Sequence, residues 1–446
     1  WKGRLLSIRC QRLQGEFQTA RTELKRYQGE WPSTLEERVL AEMAWVDLSA
    51  GEADIALERI REWKQSHGYL SGELLLTNLQ ILGDLWRAAW ERKRELLAEE
   101  LLKQIRAETE NAQRTVGGIW AWRASVFYEQ MQESTLYGPE IAEKVRQAKS
   151  SYQQRDFKDA RLAYQEAAEI AAQQDQLEIA AEMYFTAGSI SLHERDYETA
   201  RKFFRESVDR FPETKRAAEC HLMWTWCLGK SYEQSPTRSH REDYTSALDE
   251  HFEMFAGRST VADAHLMYGQ FQENRLQVTK AITHYLAVSS THSRATEADR
   301  SVLRCYQTVL KRLDEQHKST DAWREEAIQR LNERIAVYPQ QASKLSLRHC
   351  EVLLGLAQLR LAQTELDSSA IDALLNRVIE ACSLRSQSGE NDSAWKKQTL
   401  AAYRLKIVAL AQTGRTREAE ALLSRVANAG TKPLLELLDG LSAAAE

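Results

Sequence analysis

Apolar residues recur along this chain at the three-and-four spacing of an amphipathic helix, interrupted by short polar stretches. Two stretches spell nearly the same phrase. Asp156-Phe157-Lys158-Asp159-Ala160-Arg161-Leu162-Ala163-Tyr164-Gln165-Glu166-Ala167 places an alanine three residues after an aromatic, an aromatic four further on, and a small residue three beyond that. Asp196-Tyr197-Glu198-Thr199-Ala200-Arg201-Lys202-Phe203-Phe204-Arg205-Glu206-Ser207 repeats the order and runs on to Phe211-Pro212. Such self-similarity is the mark of a helical repeat array, in which each unit buries its apolar face only against its neighbours. The pattern predicts an all-α fold of about twenty helices in antiparallel pairs.

Composition fits that reading. Only 6 of 446 residues are proline and 19 are glycine, too few for a chain built of strands and tight turns. Sixty basic residues face 65 acidic ones, for a net charge of −5 and no polybasic block, which points away from nucleic acid as the main partner. The longest apolar runs, such as Glu73–Leu85 and Lys406–Ala411, are short or interrupted, so no segment is expected to span or insert into a membrane. The six cysteines, Cys10, Cys220, Cys227, Cys305, Cys350 and Cys382, form no CxxC pair and sit among apolar neighbours. They read as buried free thiols, which weakly favours a reducing, cytoplasmic location. The chain opens on Trp1 rather than methionine, which leaves room upstream for a signal peptide, an anchor, a tag or a disordered tail.

Tyr184, Ala187, Gly188, Tyr197, Ala200, Phe204, Ser207 and Pro212 together resemble the tetratricopeptide repeat, with Ser191 departing from the family's aromatic. The physical logic is packing: small residues let two helices approach, and large ones fill the space around the contact. The same frame fits Ala148, Phe157, Ala160, Tyr164 and Ala167, and again Gly269, Val278, Ala281, Tyr285 and Val288. It fits Leu228, Gly229, Tyr232, Tyr244 and Ala247 if the turn is lengthened by Glu233–Arg241. Phe17, Ala20, Leu24, Tyr27 and Pro32 match at the N-terminus, followed by Ala44, Ala56, Ile60 and Trp63, then Leu82, Gly83, Ala98, Leu102 and Ile105. Leu354-Gly355 and Gly414, Ala419 and Leu423 mark later pairs. The resemblance implies a right-handed superhelical solenoid, with some repeats irregular because the alanines Ala160, Ala200, Ala247 and Ala281 are unevenly spaced. Three regions are expected: N-terminal repeats over 1–133, the clearest repeats over 141–290, and irregular C-terminal repeats over 295–446. The stretch Asn111–Gln132 reads as one long helix, ended by a breaker at Ser134–Pro139. A second boundary is read at Leu384–Ser393, and a capping helix at Pro433–Ala445.

Catalytic signatures are missing from the sequence. There is no GxxxxGK[ST], GxSxG or HExxH motif, and the paired carboxylates Glu99-Glu100 and Glu325-Glu326 are explained by solvated helix faces. His251, His265 and His284 fall on neighbouring helices, where hydrogen-bonded or exposed histidine is a plainer reading than a metal site. No catalytic residue, metal or cofactor is therefore expected. Twelve tryptophans include the near pairs Trp120/Trp122 and Trp224/Trp226, and residues two apart on a helix point to different sides. One of each pair should face the core and the other a partner, which leaves open whether Trp224 or Trp226 is the exposed one.

In the tetratricopeptide family the first helix of each pair lines a concave groove that binds protein. The resemblance carries that role to Lys149, Gln153, Phe185, Ser189, His193, Trp226, Lys230, Gln270 and Asn274, with Val145, Tyr152, Leu192, Leu266 and Glu273 beside them. The carboxylate clamp of chaperone-binding members is not matched, because Gln153 and Ser189 stand where asparagines would. The expected function is a non-enzymatic scaffold or adaptor that binds a partner protein or peptide, alone or within a multiprotein complex. The alternative is a regulatory or substrate-guiding arm of a larger enzyme or signalling protein, and an α/α-toroid enzyme is a distant third.

Overall fold

The computed structural model describes residues 1–70, 72–387, 393–428, 435 and 438. These are helical throughout apart from turns and two 3-10 segments, Ser33–Leu35 and Ala342–Lys344, and no strand occurs among them. The chain divides into two compact units, Trp1–Asp196 and Tyr197–Glu446. The first holds α1 Lys2–Leu13, α2 Phe17–Arg26, α3 Glu36–Ser49, α4 Ala53–His67, α5 Gly72–Glu91, α6 Glu95–Thr115, α7 Gly118–Tyr137, α8 Pro139–Gln153, α9 Phe157–Gln173 and α10 Leu177–His193. The second holds α11 Tyr197–Arg210, α12 Ala217–Gln234, α13 Arg238–Met254, α14 Thr260–Asn274, α15 Val278–Ala287, α16 Ala295–Glu315, α17 Asp321–Ile335, α18 Leu347–Leu361, α19 Ser368–Gln387, α20 Ser393–Gln412 and α21 Thr416–Asn428. Within each unit consecutive helices pack on one another, and alternate helices such as α5 with α7 or α16 with α18 also touch. That order is an all-α solenoid of tetratricopeptide-like hairpins.

The turns explain how so little glycine suffices. At residues 14–16, 50–52, 92–94, 154–156, 174–176, 275–277 and 413–415, three residues join two helices, and the middle one is left-handed; a left-handed His317 closes α16 in the same way, ahead of a five-residue link, 316–320, to α17. The amide after it reaches back five residues to the preceding helix, as in Asp156 N to Ser151 O at 2.8 Å and Gln277 N to Gln272 O at 2.9 Å. This is the Schellman closure, which satisfies carbonyls that the helix end would otherwise leave open. Arg155, Asp175, Leu276, Lys93 and His317 take the position that glycine usually fills.

The hairpins close where a residue without a side chain meets a ring. A Cβ on Gly269 of α14 would lie 2.5 Å from Cε1 of Tyr285 on α15, and one on Gly229 of α12 would lie 3.0 Å from Cζ of Tyr244 on α13. Gly83 of α5 meets Phe127 of α7 in the same way, at 2.8 Å. Ala148, Ala160, Ala167 and Ala187 in the first unit, and Ala200 and Ala281 in the second, are fully buried. The small-against-large frame read from the sequence is therefore the packing frame of the structure.

Three local expectations change. Asn111–Gln132 is not one helix: α6 stops at Thr115, and Gly117 and Gly118, with φ of 65° and 57°, re-aim the chain into α7. Two successive left-handed glycines cannot continue an α-helix. Helix α7 then runs through Ser134–Tyr137, so the break is confined to Gly138-Pro139. The long turn expected at Glu233–Arg241 shrinks to Ser235–Thr237, because the Thr237 hydroxyl accepts the His240 amide at 3.2 Å and caps α13 early. Residues 388–392 of the expected Leu384–Ser393 boundary lie outside the described residues, as does nearly all of the expected capping helix Pro433–Ala445.

A branched side chain at the tightest contact tests this frame. Gly269→Val should lower unfolding free energy by ~1–3 kcal/mol in denaturant titration, because Tyr285 is 2% exposed and has nowhere to go. Gly3→Ala, at a site with no atom within 4 Å, should not destabilise.

Candidate functional site

Each unit presents part of the expected surface, and the two parts are taken separately. In the first unit, Lys149 on α8 donates to Glu133 Oε1 at 2.5 Å, and Gln153 is exposed one turn further on. Phe185 and Ser189 on α10 are half-buried, with the Ser189 hydroxyl donating back to the Phe185 carbonyl at 2.8 Å. His193, at the end of α10, meets Tyr152 at 6.3 Å and Phe157 at 5.6 Å between ring centres. Tyr152 and Phe157 touch at 5.4 Å, so the three rings form one partly exposed patch. Val145 is buried and does not line a surface.

In the second unit, Trp224 and Trp226 on α12 are both half-buried. Trp224 packs against the core cluster of Leu228, Tyr244 and Phe271, with the Arg205 guanidinium 4.7 Å over its ring. Trp226 stands outside that cluster, with Lys230 Nζ 5.2 Å over its ring and Tyr197 edge-on at 5.6 Å. Lys230 also donates to Glu233 at 2.6 Å.

Helices α14 and α16 pack less closely than α16 and α18, and a cavity of about 500 Å³ opens beside them. Leu266, Gln270 and Asn274 of α14 line it together with Arg294, Arg300, Arg304 and Arg348. Arg304 forks onto Glu273 at 2.6 and 2.8 Å, and Tyr285 donates to the same carboxylate at 2.8 Å. Burial alone would raise the Glu273 pKa, but those hydrogen bonds outweigh it and hold the carboxyl below its ordinary range. Arg294 bridges Asp263 at 2.7 Å and Glu297 at 2.8 Å, and Arg300 pairs with Glu351. Exposed Gln270, Asn274 and Arg348 remain facing solvent. The arginines were missed in the sequence. Glu297, Arg300, Ser301 and Arg304 share one face of α16 at helical spacing, but so do the residues of any solvated helix face.

The other singled-out residues also find their places. Trp120 packs on the first unit's core and Trp122 is 61% exposed. Glu99 pairs with Lys103, and Glu326 accepts the Tyr306 hydroxyl at 3.0 Å. The histidines separate into two pairs instead of one cluster. His251 Nδ1 lies 3.1 Å from His221 Nδ1, and His265 Nδ1 lies 3.2 Å from His284 Nδ1. Among the described residues no group of three metal-ligating side chains converges.

No family model matches the chain, and no curated protein matches it. Solved structures similar to it include the TPR domain of P58(IPK), at 12% identity over 91% of this chain and 97% of that one, with a TM-score of 0.24. The apo form of the quorum sensor NprR from B. thuringiensis is 12% identical over 91% of this chain and all of that one, with a TM-score of 0.30. Yeast Tom70 is 12% identical over 99% and 95%, with a TM-score of 0.24. Overlap this loose assigns neither partner nor activity, and the fold stands on the hairpins described above.

The histidine pairs make stability depend on pH. Desolvation, reinforced by the facing ring, lowers His251 and His284 to about 4 from the ordinary 6.5, and burial lowers His265 as well. Their contribution is complete above pH 6.5 and is lost as pH falls toward 4, because the unfolded chain takes up the protons first. The urea midpoint should therefore drop between pH 7 and pH 5. It should drop less in His284→Phe, which keeps a ring stacked on Tyr268 but does not titrate; equal drops would contradict the assignment.

Proposed function

We propose that the chain is a non-enzymatic scaffold that holds a segment of a partner protein along the exposed side of α14, α16 and α18. The observation that carries this reading is the pair Gln270 and Asn274. They are exposed amides one helical turn apart, at the rim of a cavity walled by arginines. A side-chain amide offers a donor and an acceptor together, which suits a peptide backbone. The ionisable groups around it are largely committed to one another, as Arg304 is to Glu273 and Arg294 to Asp263, which makes a firm wall and not a reactive centre. Leu266 supplies an apolar floor, 3% exposed.

Separate contact faces are proposed for Trp226 with Lys230 in the same unit, and for Lys149, Gln153, Phe185, Ser189 and His193 in the first unit. Lys149 and Lys230 are each held by a carboxylate, so a partner's acidic group would exchange with Glu133 or Glu233. The half-exposed tryptophan is the kind of residue that concentrates binding energy.

A photo-crosslinking residue placed at Gln270 or at Asn274 should capture the same protein, and one at the exposed Lys280 of α15 should not. Equal capture from all three positions would remove the groove from consideration. For the captured protein, Trp226→Ala should weaken binding by ~2 kcal/mol with little change in melting temperature. Trp224→Ala should lower the melting temperature, because Trp224 packs against the core cluster.

A further inference from the structure

A second cavity, of about 250 Å³, opens in the first unit between α3, α5, α7 and the start of α8. Three rings and a thioether line it: Trp45, Trp86, Phe127 and Met131. Trp86 and Met131 are buried, and Trp45 and Phe127 are half-buried, so packing sets where they stand. Two charged side chains of α5, Asp84 and Arg87, line the same cavity and are exposed. Elsewhere an acid and a base three residues apart close on each other. Asp321 and Arg324, the same residue types in the same order, meet at 3.1 Å, and Glu58 meets Arg61 at 2.6 Å. Asp84 and Arg87 do not meet, and neither side chain makes a hydrogen bond or ion pair with any described residue. Burial against the wall raises the Asp84 carboxyl above its ordinary range, and the charge of Arg87 opposes this only in part. One negative and one positive group therefore stand uncompensated beside an aromatic-lined hollow.

We propose that this cavity binds a free α-amino acid with an apolar side chain, its ammonium on Asp84, its carboxylate on Arg87 and its side chain among Trp45, Trp86 and Phe127. The size of the cavity comes first: drug-sized ligands fill about 300–1,000 Å³, so this one takes a smaller molecule. The charges come second. Both charges of an α-amino acid hang from one carbon, and side chains three apart on a helix start about 5–6 Å from each other, close enough to hold the two together. A carboxylate and a guanidinium that have no partner in the protein lose none on taking up the ligand, and charge-assisted hydrogen bonds are the strong ones. The rings come third. They offer an apolar side chain a dry surface, which is the usual character of a small-molecule pocket with a few polar groups at its mouth. The site shares no residue with the protein-contact faces proposed above and needs no partner, so its failure would leave that reading untouched.

The test is calorimetric titration of the full chain with L-leucine and with its two halves. The first half is 4-methylpentanoate, which lacks the ammonium, and the second is isopentylamine, which lacks the carboxylate. Leucine should bind saturably at one site and raise the melting temperature as its concentration rises. Each half should bind about tenfold more weakly or worse, because each leaves one charge unmet. Asp84→Asn and Arg87→Gln should each cost leucine about tenfold in affinity. Asp84→Asn should leave 4-methylpentanoate binding as it was, and Arg87→Gln should leave isopentylamine binding as it was. The comparison of leucine with its halves on the wild-type chain decides the matter even if a variant folds poorly. No saturable binding of leucine, either half binding as tightly as leucine, or a folded variant that keeps the wild-type affinity would each overturn the proposal.

Discussion

The structure depends on how closely two helical backbones can approach. At Gly269 there is room for a hydrogen and not for a carbon, because a tyrosine ring from the paired helix occupies the space, and at Gly229 a carbon would fit only if the Tyr244 ring shifted. That exchange of side-chain volume between facing positions is what makes each hairpin specific. A ring bound on one side by backbone has one place to sit, which sets the register of its helix and hence which residues turn outward.

From that contact the remaining features follow in order. Helices held so close need short connections, and the recurring three-residue turn with its Schellman closure supplies them without interrupting the solenoid. Once the core faces are committed, the polar faces of α14, α16 and α18 are left beside one another, where long arginine and glutamate side chains lock into ion pairs. Buried acids are treated alike elsewhere: Glu42 is held by Arg9 and Arg12, Asp47 by Arg21 and Arg59, and Asp299 by Arg334 and Tyr338. Satisfying each acid twice offsets the large cost of taking it out of water.

What could be read from the sequence was what is local. The phrase around Phe157, Ala160 and Tyr164 names its own helix and contact face, so hairpins and their small residues are visible in one dimension. The turns were less visible, because Arg155, Asp175 and Leu276 fill left-handed positions that glycine usually announces. The break at Gly117-Gly118 was overlooked because apolar periodicity continues through it. Chemistry built across helices left no trace in one dimension. Nothing in the spacing joins Arg304 to Glu273 or pairs His251 with His221 in preference to His265. For the surface residues, family resemblance pointed to positions such as Gln270 and Asn274, but the arginines beside them became apparent only through the fold.

The claim that close approach governs the hairpin is tested most directly by a double-mutant cycle between Gly269 and Tyr285. The cycle cancels the helix propensity that alanine gains over glycine and isolates the contact itself. If the ring sets the limit, Gly269→Ala costs less in a Tyr285→Leu background than in the wild type, with a coupling of ~1 kcal/mol or more. Identical costs in the two backgrounds would show that the two residues do not constrain each other, and the packing account would be wrong.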